Sequence, residues 1–274
     1  MGRIPARIFR KKESKDMSEG TYLGEKTMGA PTSRRKFLAG SAAALAGGAL
    51  MAVPGAALAK DDDGGNKHGR VTDVDILNYA LTLEYLEATF YTQGLNKFDK
   101  GDFEKYFKNN KPYRKQGIKD LDGGAVYEEF VRIREHEQTH VKTLKAVLGN
   151  KAVPKSTYNF NKTAFSSVGE FVAVAEFLEN TGVSAYDGAI AYIKAAKLQT
   201  AGATIATVEA RHASYLNLIN GDEPFPKPFD DPVAPQKICN TVNSTFIVRS
   251  PKPYGPYKSL DALCARLPNT VIAP

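Results

Sequence analysis

Residues 130–144 read FVRIREHEQTHVKTL, and Phe130, Ile133, Glu137, His140 and Leu144 fall on one helical face, so an acid and a histidine interrupt an apolar stripe. Residues 205–219, IATVEARHASYLNLI, repeat the arrangement with Ile205, Glu209, His212, Leu216 and Ile219. Two further stretches carry one acid each. Glu84 lies among Leu77, Leu81, Ala88, Tyr91 and Leu95, and Glu179 among Val172, Ala175, Val183, Tyr186 and Ile190. One Glu from each of two helices, with a Glu-x-x-His from each of two others, is the inward-facing ligand pattern of a dinuclear carboxylate site in a four-helix bundle. Four carboxylates converging in an apolar interior repel one another and lose hydration, and divalent cations remove that conflict. Carboxylate oxygen and imidazole nitrogen without thiolate suit two ions of iron or manganese, although zinc accepts the same ligands.

Comparing helical neighbours sharpens the set. Glu176 has Gly169, Asn180 and Asp187 around it, so Glu179 is the inward choice. His136 has Glu129, Arg132 and Thr143 around it and is expected on the solvated face. Glu87 is flanked by Ile76, Ala80, Leu83 and Phe90, and helical geometry alone leaves it open beside Glu84. Tyr91 follows Glu84, and Tyr186 follows Glu179, by seven residues, or two turns, so each half of the chain repeats Glu, Tyr and Glu-x-x-His. Each tyrosine is expected to pack in the core with its hydroxyl satisfied, to hydrogen-bond a ligand carboxylate, or to take part in redox chemistry.

The periodicity predicts an all-α fold. A first helix runs from Thr72 or Asp73 to Gly94, and a second from about Asp122 to Leu148, stopped by Gly149. Residues 95–121 form an insertion, with a short helix near Phe103–Asn109, that covers the bundle. A crossover over residues 150–167 leads to a third helix from Val168. A break near Thr200–Gly202 precedes a fourth helix ending near residue 220. One long connection between the second and third helices suits a bundle with a single crossover.

The stretches Asp73-Val74-Asp75-Ile76-Leu77-Asn78-Tyr79-Ala80-Leu81, Leu83-Glu84-Tyr85-Leu86-Glu87-Ala88 and Leu178-Glu179-Asn180-Thr181-Gly182-Val183-Ser184-Ala185-Tyr186-Asp187-Gly188-Ala189 resemble a ferritin-like domain, in the bacterial branch related to desiccation-associated proteins. The likeness covers residues 73–220. It favours Glu84 over Glu87, and it implies that Glu137 and Glu209 bridge two metals, that Glu84 and Glu179 are terminal ligands, and that His140 and His212 each cap one metal. The wider fold hosts ferroxidases, peroxidases, catalases, oxygenases and members without demonstrated chemistry, so fold alone does not choose among them. Two readings follow: ferrous iron oxidation or peroxide removal in envelope stress defence, or a non-catalytic protective or scaffold protein. Oxygen or peroxide is the small-molecule substrate of the first, and a homo-oligomer fits either. A storage cage is less suited to the long insertion and the Pro-rich tail.

The flanks are different in kind. Of 274 residues 42% are hydrophobic and 24% charged, a globular balance. The net charge of +7 comes almost wholly from residues 1–59, and the remainder carries 27 basic against 26 acidic side chains, which speaks against a nucleic-acid footprint. Ser33-Arg34-Arg35-Lys36-Phe37-Leu38, an apolar run from Ala39 to Val53, and Ala57-Leu58-Ala59 resemble a twin-arginine export signal cleaved before Lys60. Its partner is the twin-arginine export machinery and its destination the periplasm or cell envelope. Met17 and Met28 both precede the arginine pair, so residues 1–28 read as an extended or misassigned start. A polar linker spans residues 60–71, the bundle 72–220, and a tail 221–274 follows. Prolines from Pro224 to Pro274 exclude long helices from that irregular tail. Its Cys239 and Cys264, the chain's two cysteines, are expected to form a structural disulfide after export. The tail is expected to wrap the bundle or to contact a second subunit.

Overall fold

Helix α1, Asp73–Lys97, starts on a reciprocal cap: the Thr72 hydroxyl accepts from Asp75 N at 3.2 Å, and the Asp75 carboxylate accepts from Thr72 N at 2.9 Å. This computed structural model describes residues 71–272; the twin-arginine segment and residues 60–70 of the linker lie outside the described residues. The helix passes through Gly94 rather than stopping there. A Cβ on Gly94 would lie 2.2 Å from the Phe171 ring, so this glycine allows a close approach between helices and is not a terminator.

The insertion folds as α2, Lys100–Asn109, and a 3₁₀ turn, Pro112–Gln116, and buries Phe103, Phe107 and Tyr113. It covers the bundle, as its aromatic content foretells. Helix α3, Gly123–Leu148, is capped by Asp122, whose side chain accepts from Gly124 N at 2.8 Å. The crossover carries strand β1, Thr157–Tyr158, and the short α4, Asn161–Ala164. Helix α5 spans Val168–Ala189, and α6 spans Ala196–Asn220.

The break between α5 and α6 falls at residues 190–195, earlier than the expected Thr200–Gly202. The cause is tertiary. Helix α6 has no side-chain cap of its own, but the Asp73 carboxylate of α1 accepts from Lys194 N at 2.7 Å and Ala195 N at 3.1 Å. A carboxylate at a helix N-terminus also meets the favourable end of the helix dipole. Gly202 is an ordinary buried member of α6.

Helix α1 packs chiefly on α3, and α5 on α6. Tyr91 lies against Phe130 while Glu84 meets His140, so α1 and α3 are antiparallel. Glu179 meets His212 and Glu176 meets Asn220, so α5 and α6 are antiparallel as well. Because Tyr91 of α1 reaches Glu179 and Glu84 reaches Tyr186, α1 also opposes α5, and α3 and α5 run in one direction. Two parallel neighbours in sequence require a connection along the whole bundle, which is the crossover. One end of the bundle is filled by Phe90, Phe103, Phe130 and Phe171, with ring centroids 5.1 Å to 6.2 Å apart in the contacting pairs.

The tail is more regular than its proline content suggests. Pro235 occupies the first turn of α7, Pro235–Thr245, where a missing N–H does no harm. Strand β2, Ile247–Arg249, pairs antiparallel with β1, and α8 spans Leu260–Arg266. Cys239 and Cys264 are joined, S–S 2.01 Å, tying α7 to α8. Arg266 donates Nε and Nη2 to the two oxygens of Asp75, 2.9 Å each, and Tyr257 Oη donates to Asp75 Oδ1 at 2.9 Å. The tail thus wraps the outer side of α1 and leaves that helix buried on nearly every face. Among the described residues no helix is long and apolar enough to cross a membrane.

Candidate metal centre

The four helices bring all six predicted ligands together. Glu84, Glu137, Glu179 and Glu209 are each 0% exposed, so nothing in bulk water solvates them. His140 Nδ1 lies 3.1 Å from Glu84 Oε2, 3.3 Å from Glu137 Oε2 and 3.3 Å from Glu209 Oε1. His212 Nδ1 lies 3.1 Å from Glu179 Oε2 and 3.2 Å from Glu137 Oε1. Glu84, Glu137, His140 and Glu209 form one group, and Glu137, Glu179, Glu209 and His212 a second, with one donor atom per residue and all such atoms within 4.8 Å of one another. Glu137 and Glu209 belong to both groups.

The tyrosines cross between the halves. Tyr91 Oη donates to Glu179 Oε1 at 2.7 Å, and Tyr186 Oη donates to Glu84 Oε1. Glu179 and Glu84 therefore each give one oxygen to a tyrosine and turn the other, Oε2, to a histidine. The sequence repeat placed the tyrosines on the correct faces, but their partners belong to the opposite repeat.

The electrostatics show an unresolved conflict. Burial opposes ionisation of Glu84, yet the His140 charge and hydrogen bond hold its carboxyl below the usual range. Burial, and then the charge of Glu84, raises Glu137 to about 7. Burial, with the charges of Glu137 and Glu179, pushes Glu209 well above the carboxylate range. Burial disfavours charge on the histidines too, but the Glu84 charge and the contacts to Glu137 and Glu209 keep His140 charged far above its ordinary value. The contacts to Glu137 and Glu179 outweigh burial at His212 and raise it to about 9. Even so, Glu137 Oε1 and both oxygens of Glu209 are buried and accept no hydrogen bond from the described residues. One Nδ1–H can satisfy one oxygen, whereas three converge on His140. Oxygen and imidazole donors with orphaned acceptors fit divalent cations, which serve several lone pairs at once.

One residue departs from expectation. His136 is not on a solvated face: it is half-buried, its Nδ1 lies 2.9 Å from His212 Nε2, and the two rings stack at 5.2 Å. Its outward polar neighbours on α3 hid a partner on α6. Burial, then the nearby His212 charge, keeps His136 below its ordinary pKa and so neutral, able to accept from His212 Nε2–H. That bond leaves His212 Nδ1 to face the carboxylates. The i, i+4 relation of His136 to His140 was the available signal. Glu87, left open by the sequence, is also buried, beside the cluster but outside both four-residue groups. Glu176 stays apart and accepts from Asn220 Nδ2.

The sequence model of the family described as Ferritin-like domain matches residues 72–222, over half of the chain. The chain belongs to the ferritin-like domain family. The matched span of this ferritin-like protein contains all six clustered residues and both tyrosines. The chain is also similar to Protein rds1 of Schizosaccharomyces pombe, 26% identical over 180 residues, which cover 65% of this chain. The aligned part spans 40% of the length of that relative.

Proposed function

We propose that Glu84, Glu137, His140, Glu179, Glu209 and His212 hold two divalent cations, iron or manganese, and that the site oxidises ferrous iron or removes peroxide in envelope stress defence. The observation that carries this reading is the convergence of oxygens of Glu84, Glu137 and Glu209 on the one His140 Nδ1, with Glu137 Oε1 and both Glu209 oxygens, one of them among the three, accepting no hydrogen bond from the described residues. Membership of Glu137 and Glu209 in both groups supports their bridging role. When bound, a pair of such metals supplies two-electron chemistry toward oxygen or peroxide.

The chain's own residues do the rest. Tyr91 and Tyr186 fix Glu179 and Glu84 so that one oxygen of each faces inward. His136 orients His212 through its outer nitrogen. Full burial of the carboxylates excludes water from the reacting volume and strengthens each charge interaction there.

Export belongs to the same reading. Its supports are the twin-arginine likeness of residues 33–59 and the closed Cys239–Cys264 bridge, since disulfides persist in oxidising compartments. The division into a signal over 1–59, a linker, a bundle and a tail is part of the proposal.

Rates of ferrous oxidation and of hydrogen peroxide consumption by the metal-loaded protein, beside Glu137→Ala, test the activity. An acceleration of at least one reaction, lost in the variant, is the expected result. No acceleration of either by a fully loaded wild type overturns the enzymatic reading and favours the protective or scaffold one.

A further inference from the structure

After α6 the chain leaves the bundle and returns to it through an exposed arch. Asp222 N donates to Asn217 O at 2.8 Å where the arch departs, and Val233 N donates to Ser184 O of α5 at 3.0 Å where it lands. The landing is close. A Cβ on Gly188 would lie 1.9 Å from Val233 O, so a glycine is what lets the arch seat on α5. Between the anchors run Glu223-Pro224-Phe225-Pro226-Lys227-Pro228-Phe229-Asp230-Asp231, with a proline at every second place from Pro224 to Pro228. Proline fixes φ and stiffens such a segment, so little freedom is lost when a partner grips it. Phe225 is 78% exposed and Phe229 80%, the two most exposed large apolar side chains among the described residues.

Beside the arch, residues of α5 and α6 line a cleft of about 750 Å³. Val183, Ala210, Ala213, Tyr215 and Leu218 make it largely apolar and wide enough for an aromatic ring. Arg211 and Asp230 line it too, both exposed, yet neither forms an ion pair among the described residues. Asp230 instead has a like charge for a neighbour: burial, and then the Asp230 charge, raises the Asp187 carboxyl above its ordinary range. One patch of surface therefore carries two projecting rings, a cleft that can take a ring, an unpaired cation and an unpaired anion. A surface holding both halves of a contact is what a two-fold interface requires, since each subunit presents the same patch to the other.

We propose that this patch is a two-fold interface between copies of this chain, in which the Phe229 ring of each copy enters the cleft of the other and Arg211 of each pairs with Asp230 of the other. Aromatic and arginine side chains at the centre, with charges at the rim, are the composition that such contacts favour. Glu223, Asp230 and Asp231 beside the rings oppose the alternative of an anionic lipid surface, which attracts basic segments. None of the six clustered residues lines the cleft, so the interface stands or falls apart from the metal reading.

Sedimentation of the mature protein over a concentration series tests the proposal, with circular dichroism to show that each variant is folded. Wild type should sediment as a dimer. Phe229→Ser should weaken association by about 30-fold or more, the loss expected of an aromatic anchor at the centre of an interface. Arg211→Glu and Asp230→Arg should each weaken it through like charges facing across the two-fold, and the double variant, which restores opposite charges, should recover it. A wild type that stays monomeric at every concentration overturns the interface, including one that binds phosphatidylglycerol vesicles instead. A dimer indifferent to all three single substitutions overturns it as well, and so does a double charge variant no tighter than the single ones.

Discussion

The hydrogen bond between His136 and His212 gives the two halves of the centre different surroundings, because His212 has an outer histidine partner on its Nε2. Partners that fix the tautomer of a ligating imidazole change metal affinity by about 10- to 100-fold when removed. His136→Ala is therefore expected to weaken metal binding by about tenfold without unfolding the bundle, as read by competition with a chelator. Unchanged affinity would assign His136 a packing role only. The ligand residues were legible in the sequence because each interrupts an apolar stripe with a charge that an apolar interior rejects. His136 was not legible, since its neighbours on α3 are polar and its partner comes from α6. Glu84 and Glu87 were not separable because the tail covers the side of α1 that would otherwise be solvated, so both acids read as inward.

At the scale of elements, the misplaced ends share one cause. Helix propensity marks Gly94 as a stop, and the Phe171 ring makes it a contact point; the start of α6 lacks a local cap, and Asp73 of α1 supplies one. Start signals written in adjacent residues, such as Thr72 with Asp75 and Asp122 with Gly124, were readable. Those that depend on another helix were not. The bundle order and its single crossover followed from stripe spacing together with the lengths of the connections. Gly94→Ala, with its Cβ driven into the Phe171 ring, is expected to destabilise the protein by about 2 kcal/mol despite the better helix propensity of alanine. Denaturant melting of the two proteins measures this. A stabilised variant would show that α1 and α5 are not held at this separation.

For the whole molecule, the metal-free centre makes stability depend on pH. Glu137, raised to about 7 from 4.5, and His212, raised to about 9 from 6.5, both bind protons more tightly in the folded state. The Glu137 contribution is complete below about pH 4.5 and is lost as pH rises through about 7; that of His212 is complete below about 6.5 and is lost through about 9. Metal-free protein should accordingly lose stability between about pH 5 and pH 9, and loaded protein should lose less, because the ions take the place of the protons. Melting curves of both forms across that range decide it, and a metal-free form that gains stability toward pH 9 contradicts the charge balance described for the centre. Whether the six converging residues are a dinuclear metal site is decided by the metal content of the mature protein. Iron and manganese are counted per chain after loading and desalting, with Glu137→Ala and His212→Ala beside the wild type. The wild type is expected to retain at least about two ions per chain, and both variants, still folded by circular dichroism, to lose metal from the central pair. A folded wild type that retains no metal and matches its variants in stability would contradict it.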